Sequence, residues 1–160
     1  HSFAILCALL GEVESVYALR APQRFPEMEG DDTSTALVRF RSGVVGTLVE
    51  SDVMKSLATV SGREVHTLRI DGDLGNLSVR DGRTIRLFSE RPGSLPGGAL
   101  AQHDILVPEA DTFGLEVEHF LHCVRSGEEP LTGGRAQRRP LEIVLAAYES
   151  MASGLPVRLP

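Results

Sequence analysis

The sequence predicts an α+β fold, a mainly antiparallel open sheet with helices packed on one face. Three observations carry that expectation. Helical periodicity stands near both ends of the 160 residues and short β-branched segments fill the middle, in the order helix, strands, helix, helix. Tight Gly-bearing turns join the middle segments, which suits antiparallel hairpins rather than long parallel crossovers. The tail from Glu128 to Pro160 is a Gly-rich basic turn, an apolar helix and a short strand-like exit, PVRLP.

In chain order, His1 to Leu10 reads as the end of a helix, with Phe3, Leu6, Cys7 and Leu10 on one face and Gly11 as terminator. Glu14 to Ala21 is a strand, in which Val16 and Ala18 alternate with Tyr17 and Leu19. Pro22 to Asp32, with two prolines and an acidic cluster, is a loop. Thr33 to Ser51 is the clearest hairpin: TALVRF and VVGTLVES flank the turn Arg41-Ser42-Gly43. Apolar residues fall on both alternations there, Ala36, Val38 and Phe40 against Leu37, so both faces of the sheet need cover.

Further strands are expected at Leu57 to Ser61, His66 to Asp71, Asn76 to Arg80 and Thr84 to Ser89, with turns at Asp71 to Gly75 and at Asp81-Gly82. Gly72 and Gly75 read as turn residues needing positive φ. Arg91 to Leu100, rich in Pro and Gly, reads as an exposed, mobile loop, and His103 to Val107 as an edge strand. Phe113 to Arg125 is an amphipathic helix that Asp111 or Thr112 can cap. In the final helix Pro140 suits the first turn, and Gly154 followed by Pro156 marks the stop. Leu141, Leu145, Tyr148 and Ala152 recur at helical spacing, with Val144 and Met151 widening the stripe, so that face is expected to lie on a core.

The totals bound the function. The length suits one domain with a real core. A net charge of −6 argues against a nucleic-acid partner, which calls for clustered positive charge. No apolar run approaches the ~20 residues of a membrane span. FAILCALLG is not read as a signal sequence, because it lacks a basic start and keeps helical spacing. Cys7 and Cys123 fall in apolar helical patterns, as buried free thiols of a reducing, cytoplasmic compartment do.

Candidate chemistry is sparse. His119, His122 and Cys123 have spacing for two ligands on one helix face, but a zinc site wants three or four, so no metal is expected. Gly133-Gly134-Arg135 can face a ligand, with Arg135, Arg138 and Arg139 near an anion; Arg135 is the candidate substrate-binding residue, against the plainer reading of a solvated basic turn. Ser51 has no partner at motif spacing for a nucleophile. No strand–turn–helix with G-x-G-x-x-G occurs, so no cofactor-binding residue is assigned within the chain. Lys55, the only lysine, stands in DVMKS.

Several phrases resemble one family. Phe120 to Gly127 (FLHCVRSG), Glu129 to Thr132 (EPLT) and Leu141 to Pro160 are similar to the closing phrase FLxCVRSGxEPLTSGxxxxxALEIVLAAYESxxSGxPVRLP of the glucose–fructose oxidoreductase / inositol dehydrogenase (Gfo/Idh/MocA) family. HSFAILCALLG resembles its HSFDLLRWLLG, and IDGDLGNL (Ile70 to Leu77) resembles its IxGTxGxL turn.

The resemblance implies the single C-terminal, substrate-side and oligomerisation domain of a two-domain NAD(P)-dependent oxidoreductase, spanning residues 1–160. NAD or NADP would be bound mainly by an N-terminal Rossmann domain that this chain lacks, together with its EKP lysine, so the fragment alone is expected to be inactive. The implied substrate is a sugar, polyol or related hydroxy compound, and the implied partner a second copy joined through the open sheet face. His1 matches the family's histidine that takes the proton of the substrate hydroxyl, work suited to a group titrating near neutrality. Ala4, Cys7 and Ala8 depart from the family's Asp, Arg and Trp. That trimming leaves open a site enlarged for another substrate, or a non-catalytic binding and assembly domain.

Overall fold

A computed structural model of the chain describes residues 1–54, 67–79, 83–91 and 102–160. They fall into two compact units, His1–Met54 with His119–Pro160, and Lys55–Glu118. The described elements are α1 (Ser2–Leu10), β1 (Val13–Arg20), β2 (Thr33–Phe40), β3 (Val45–Ser51), β4 (Leu68–Gly72), β5 (Gly75–Val79), β6 (Thr84–Ser89), β7 (Gln102–Leu106), α2 (Thr112–Ser126), α3 (Gly134–Ser153) and β8 (Val157–Arg158). The class is α+β, as expected. The described strands make two four-stranded antiparallel sheets, one in each unit. The strand expected at Leu57 to Ser61, the turn at Asp81-Gly82 and all but the first residue of the Arg91 to Leu100 loop lie outside the described residues.

In the first unit the sheet order is β3-β2-β1-β8. Register follows the hydrophobic alternation: Val16 pairs with Val38 and Ala18 with Ala36, which places their side chains on one face. That face is the core, where Val16, Ala18, Ala36, Val38 and Phe40 are buried with Ile143, Ala146 and Ala147 of α3. Phe3, Leu6, Cys7 and Leu10 of α1 pack against the same cluster, so the expected inner face of that helix stands. Leu19, Leu37, Val45 and Val49 point the other way and are exposed.

Two expectations for α3 need correction. Its buried stripe is Ile143, Ala146, Ala147 and Ser150, while Leu141, Leu145, Tyr148 and Ala152 are exposed on the opposite side. Both stripes recur at helical spacing, and periodicity alone does not say which faces the sheet; the small alanines let α3 lie close on β1. Pro140 is interior to the helix rather than in its first turn, because α3 begins at Gly134. GRAQRR before the proline contains good helix formers, and Arg138 and Arg139 both pair with Glu142, at 2.9 and 2.8 Å. At the far end Gly154 adopts φ 72° and its N–H bonds Ser150 O, the expected stop.

The second unit's sheet is a plain meander, β4-β5-β6-β7. Gly75 is required there for close approach, not for positive φ: a Cβ would sit 2.2 Å from Phe88 O on the adjacent strand. Gly72 and Gly75 are both absent from the positive-φ glycines, which among the described residues are Gly11, Gly43, Gly127 and Gly154. Asp111 caps α2, accepting the Gly114 N–H at 2.9 Å.

Candidate functional site

His1 precedes α1 and its carbonyl accepts the Ile5 N–H at 3.1 Å, so it stands as the helix N-cap with an exposed side chain. The next residue, Ser2, donates its hydroxyl to Glu50 Oε1 near the end of β3. This bond ties the first turn of α1 to the edge strand β3. Thr33 and Ser51, whose hydroxyls are 3.0 Å apart, hold the ends of β2 and β3 together beside it.

The other end of α1 is different. Cys7, Gly11, Glu12, Arg139, Ile143 and Leu159 line a cavity of about 220 Å³. Burial, then the nearby Glu12 carboxylate, push the Cys7 thiol up, so it stays protonated at neutral pH. Arg139 donates to Glu142 at 2.8 Å and to Pro160 O at 3.2 Å, and Arg41 donates to the same carbonyl at 2.7 Å while pairing with Glu12. The polar mouth of the cavity is therefore internally satisfied. Arg139 marks the end of α3 that lies by Gly11, about 15 Å along α1 from His1. Arg135 is a turn beyond it, highly exposed and 3.8 Å from Glu129. The structure records no contact between Arg135 and His1.

His119 and Cys123 do meet: Sγ is 3.6 Å from His119 Nε2. The same nitrogen accepts the Leu131 N–H at 3.1 Å, which puts the ring proton on Nδ1. His122 turns to Glu128 instead, at 3.3 Å. His119 thus braces the segment between α2 and α3. Among the described residues no three metal-ligating side chains gather.

Sequence reasoning missed the groups that shape the 21–32 loop. Buried Asp32 accepts the backbone N–H groups of Arg24 and Phe25, and Gln23 Nε2 reaches the carbonyls of Phe25, Met28 and Gly30. Tyr148 donates to Asp31 at 2.8 Å, fastening the loop to α3. Burial raises the Asp31 carboxyl, but hydrogen bonds from Ser34 and Tyr148 and the charge of Arg20 outweigh it and hold the group below its usual range. The signal available in the sequence was Gly-Asp-Asp before a strand, the composition of a side-chain-stapled turn.

Among the described residues no strand leads through a Gly-rich turn into a helix, and Asp111 sets a carboxylate at the start of α2, where a phosphate would be repelled.

Comparison with known proteins agrees with the folded arrangement. A family model described as the oxidoreductase family, C-terminal alpha/beta domain, matches residues 1–159. The scyllo-inositol 2-dehydrogenase (NAD(+)) of Bacillus subtilis is 28% identical over 99% of this chain and 45% of its own length. A D-apiose dehydrogenase of Paraburkholderia graminis is 27% identical over 99% of this chain and 43% of its own. The WlbA dehydrogenase of Bordetella pertussis, solved in complex with NADH and UDP-GlcNAcA, superposes with a TM-score of 0.71 at 25% identity, covering 100% of this chain and 43% of that one. An Agrobacterium radiobacter oxidoreductase, solved with NAD+, L-tartaric acid and magnesium, shares the fold with a TM-score of 0.76 at 23% identity, over 99% of this chain and 46% of that one. The chain thus spans less than half the length of these relatives. It belongs to the Gfo/Idh/MocA oxidoreductase family, as a match to that family's C-terminal domain.

Proposed function

We propose that this chain is the single substrate-side domain of a longer, cytoplasmic NAD(P)-dependent dehydrogenase acting on a sugar, polyol or related hydroxy compound. The observation that carries this reading is the match over residues 1–159 to a domain whose relatives include inositol and apiose dehydrogenases; the exposed His1 takes its role from the resemblance of the opening phrase HSFAILCALLG. In this reading the His1 imidazole takes the substrate hydroxyl proton while the carbon bearing it gives up hydride. NAD or NADP, the hydride acceptor, is held mainly by a portion outside these residues. In this reading the isolated chain is expected to be inactive. Free Cys7 and Cys123 suit a reducing compartment.

The test is His1→Asn in the complete polypeptide. Loss of a general base of this kind lowers kcat by about 10²–10⁴-fold with little change in substrate affinity. Turnover within about twofold of the parent would remove His1 from the chemistry.

A second reading, a non-catalytic binding or assembly domain, is favoured by Ala8, exposed on α1 where the family has a large aromatic. Full-length polypeptide that binds NAD(H) yet oxidises none of a panel of inositols, aldoses and sugar acids would support it over the enzyme.

A further inference from the structure

We propose that Arg20, Ser34 and Glu50, a polar row across β1, β2 and β3 beside His1, select the substrate by charge and take an uncharged sugar or polyol in preference to a sugar acid. The inference rests on the dehydrogenase reading above, which it narrows. Arg20 pairs with Ser34 and Ser34 with Glu50, so the three stand side by side in one register row. Each is two residues along its strand from Ala18, Ala36 and Leu48, which lie in or against the core that α1 and α3 cover. Side chains two apart on a strand share a face, so the polar row stands on the helix side of the sheet, where the core ends. Arg20 and Glu50 are exposed and Ser34 is half-buried. Ser2, the first residue of α1, donates its hydroxyl to Glu50, which brings the adjoining, exposed His1 to the same end. Tyr148 of α3 and Ser34 both bond the Asp31 carboxylate there.

What the row can hold follows from which polar groups remain open. Ser2 takes one oxygen of Glu50, and the other can accept a ligand hydroxyl. Arg20 makes no hydrogen bond or ion pair among the described residues; its charge acts on Asp31 and Tyr148 at longer range, and its guanidinium donors remain for a ligand. Neighbouring strands lie about 4.8 Å apart, so the Arg20 and Glu50 backbones are about 10 Å from each other, a gap that a polyhydroxy ring bridges with a hydroxyl on each side. A hydroxyl satisfies both ends, because it can donate to Glu50 and accept from Arg20. A ligand carboxylate cannot: it pairs with Arg20 but meets the Asp31 and Glu50 carboxylates, two like charges against one opposite.

The test is ligand-observed NMR titration of the complete polypeptide, with NAD(H) present, using D-glucose, D-galactose and D-mannose against the three matching uronic acids. The parent should bind at least one hexose about tenfold more tightly than its uronic acid, and high salt should shrink that preference because the row is open to solvent. Glu50→Gln keeps an acceptor for Ser2 but removes the charge, and should narrow the preference about fivefold by admitting the acid. Arg20→Gln should widen it. These opposite movements distinguish selection by charge from a merely structural role of the row. Uronic acids bound as well as hexoses by the parent, no binding of either kind, or a preference within about twofold of the parent's in both variants would overturn the proposal. Failure of the dehydrogenase reading gives another pattern: the charge preference persists but no NAD(P)-linked turnover follows. Turnover in which hexose and uronic acid serve alike sinks the charge selection alone.

Discussion

Ser150 lies wholly enclosed in the last turn of α3, and its hydroxyl satisfies two backbone groups at once. It accepts the Ala18 N–H at 2.9 Å and donates to Leu155 O at 2.7 Å. The need arises because β8 is only two residues long and pairs with Ser15 and Val16, so β1 runs past it with an amide facing the gap. A buried amide without a partner costs about 1–3 kcal/mol. Ser150→Ala should therefore lower unfolding free energy by about that amount in urea, with the m-value unchanged; a loss under ~0.5 kcal/mol would mean that the gap closes by other means. Asp31 gives a second expectation at this scale. Its carboxyl is held low, so its contribution is present above the unfolded value near 4 and is lost as pH falls through the lower folded value. Tyr148→Phe removes one donor, and the Asp31 carboxyl should then titrate at higher pH in carbon-detected NMR. An unmoved titration would show that Ser34 and Arg20 suffice.

The elements differ in how far the sequence exposed them. β1, β2 and β3 were legible because β-branched alternation and a turn with Gly43 at φ 89° agree with one another. Thr84 to Ser89 was legible to the residue. α3 was legible as a helix and misread as a surface, because it carries two apolar stripes and only one rests on this chain's own core. Pro140 misled for a related reason: a proline suits a first turn on average, yet the Arg138, Arg139 and Glu142 pairs sustain the helix across it. The candidate site was less legible still. His1 acquires a role only through the family phrase around it, since an exposed imidazole at a helix start has no distinguishing pattern of its own. The Ser2–Glu50 bond beside it joins residues far apart in the chain, a relation that no local spacing encodes.

At the scale of the molecule, the first unit has apolar residues on both outer surfaces, one on its helices and one on its sheet. The sheet surface is built from cross-strand neighbours: Tyr17 pairs with Leu37, Leu37 with Thr47, and Thr35 with Leu19 and Val49. Exposed β-branched and leucine side chains on an antiparallel face are costly in water and suit a like face, which is why we infer that a second copy covers them. Leu37 sits on the central strand β2, 47% exposed, with neighbours on both sides, so a charge there would be buried unpaired in a face-to-face dimer. Leu37→Lys should leave the circular dichroism spectrum unchanged and shift the light-scattering mass of the complete polypeptide at micromolar concentration towards the monomer. A parent that is itself monomeric there, or a variant with the parent's mass, would mean that the sheet face meets something other than its own copy.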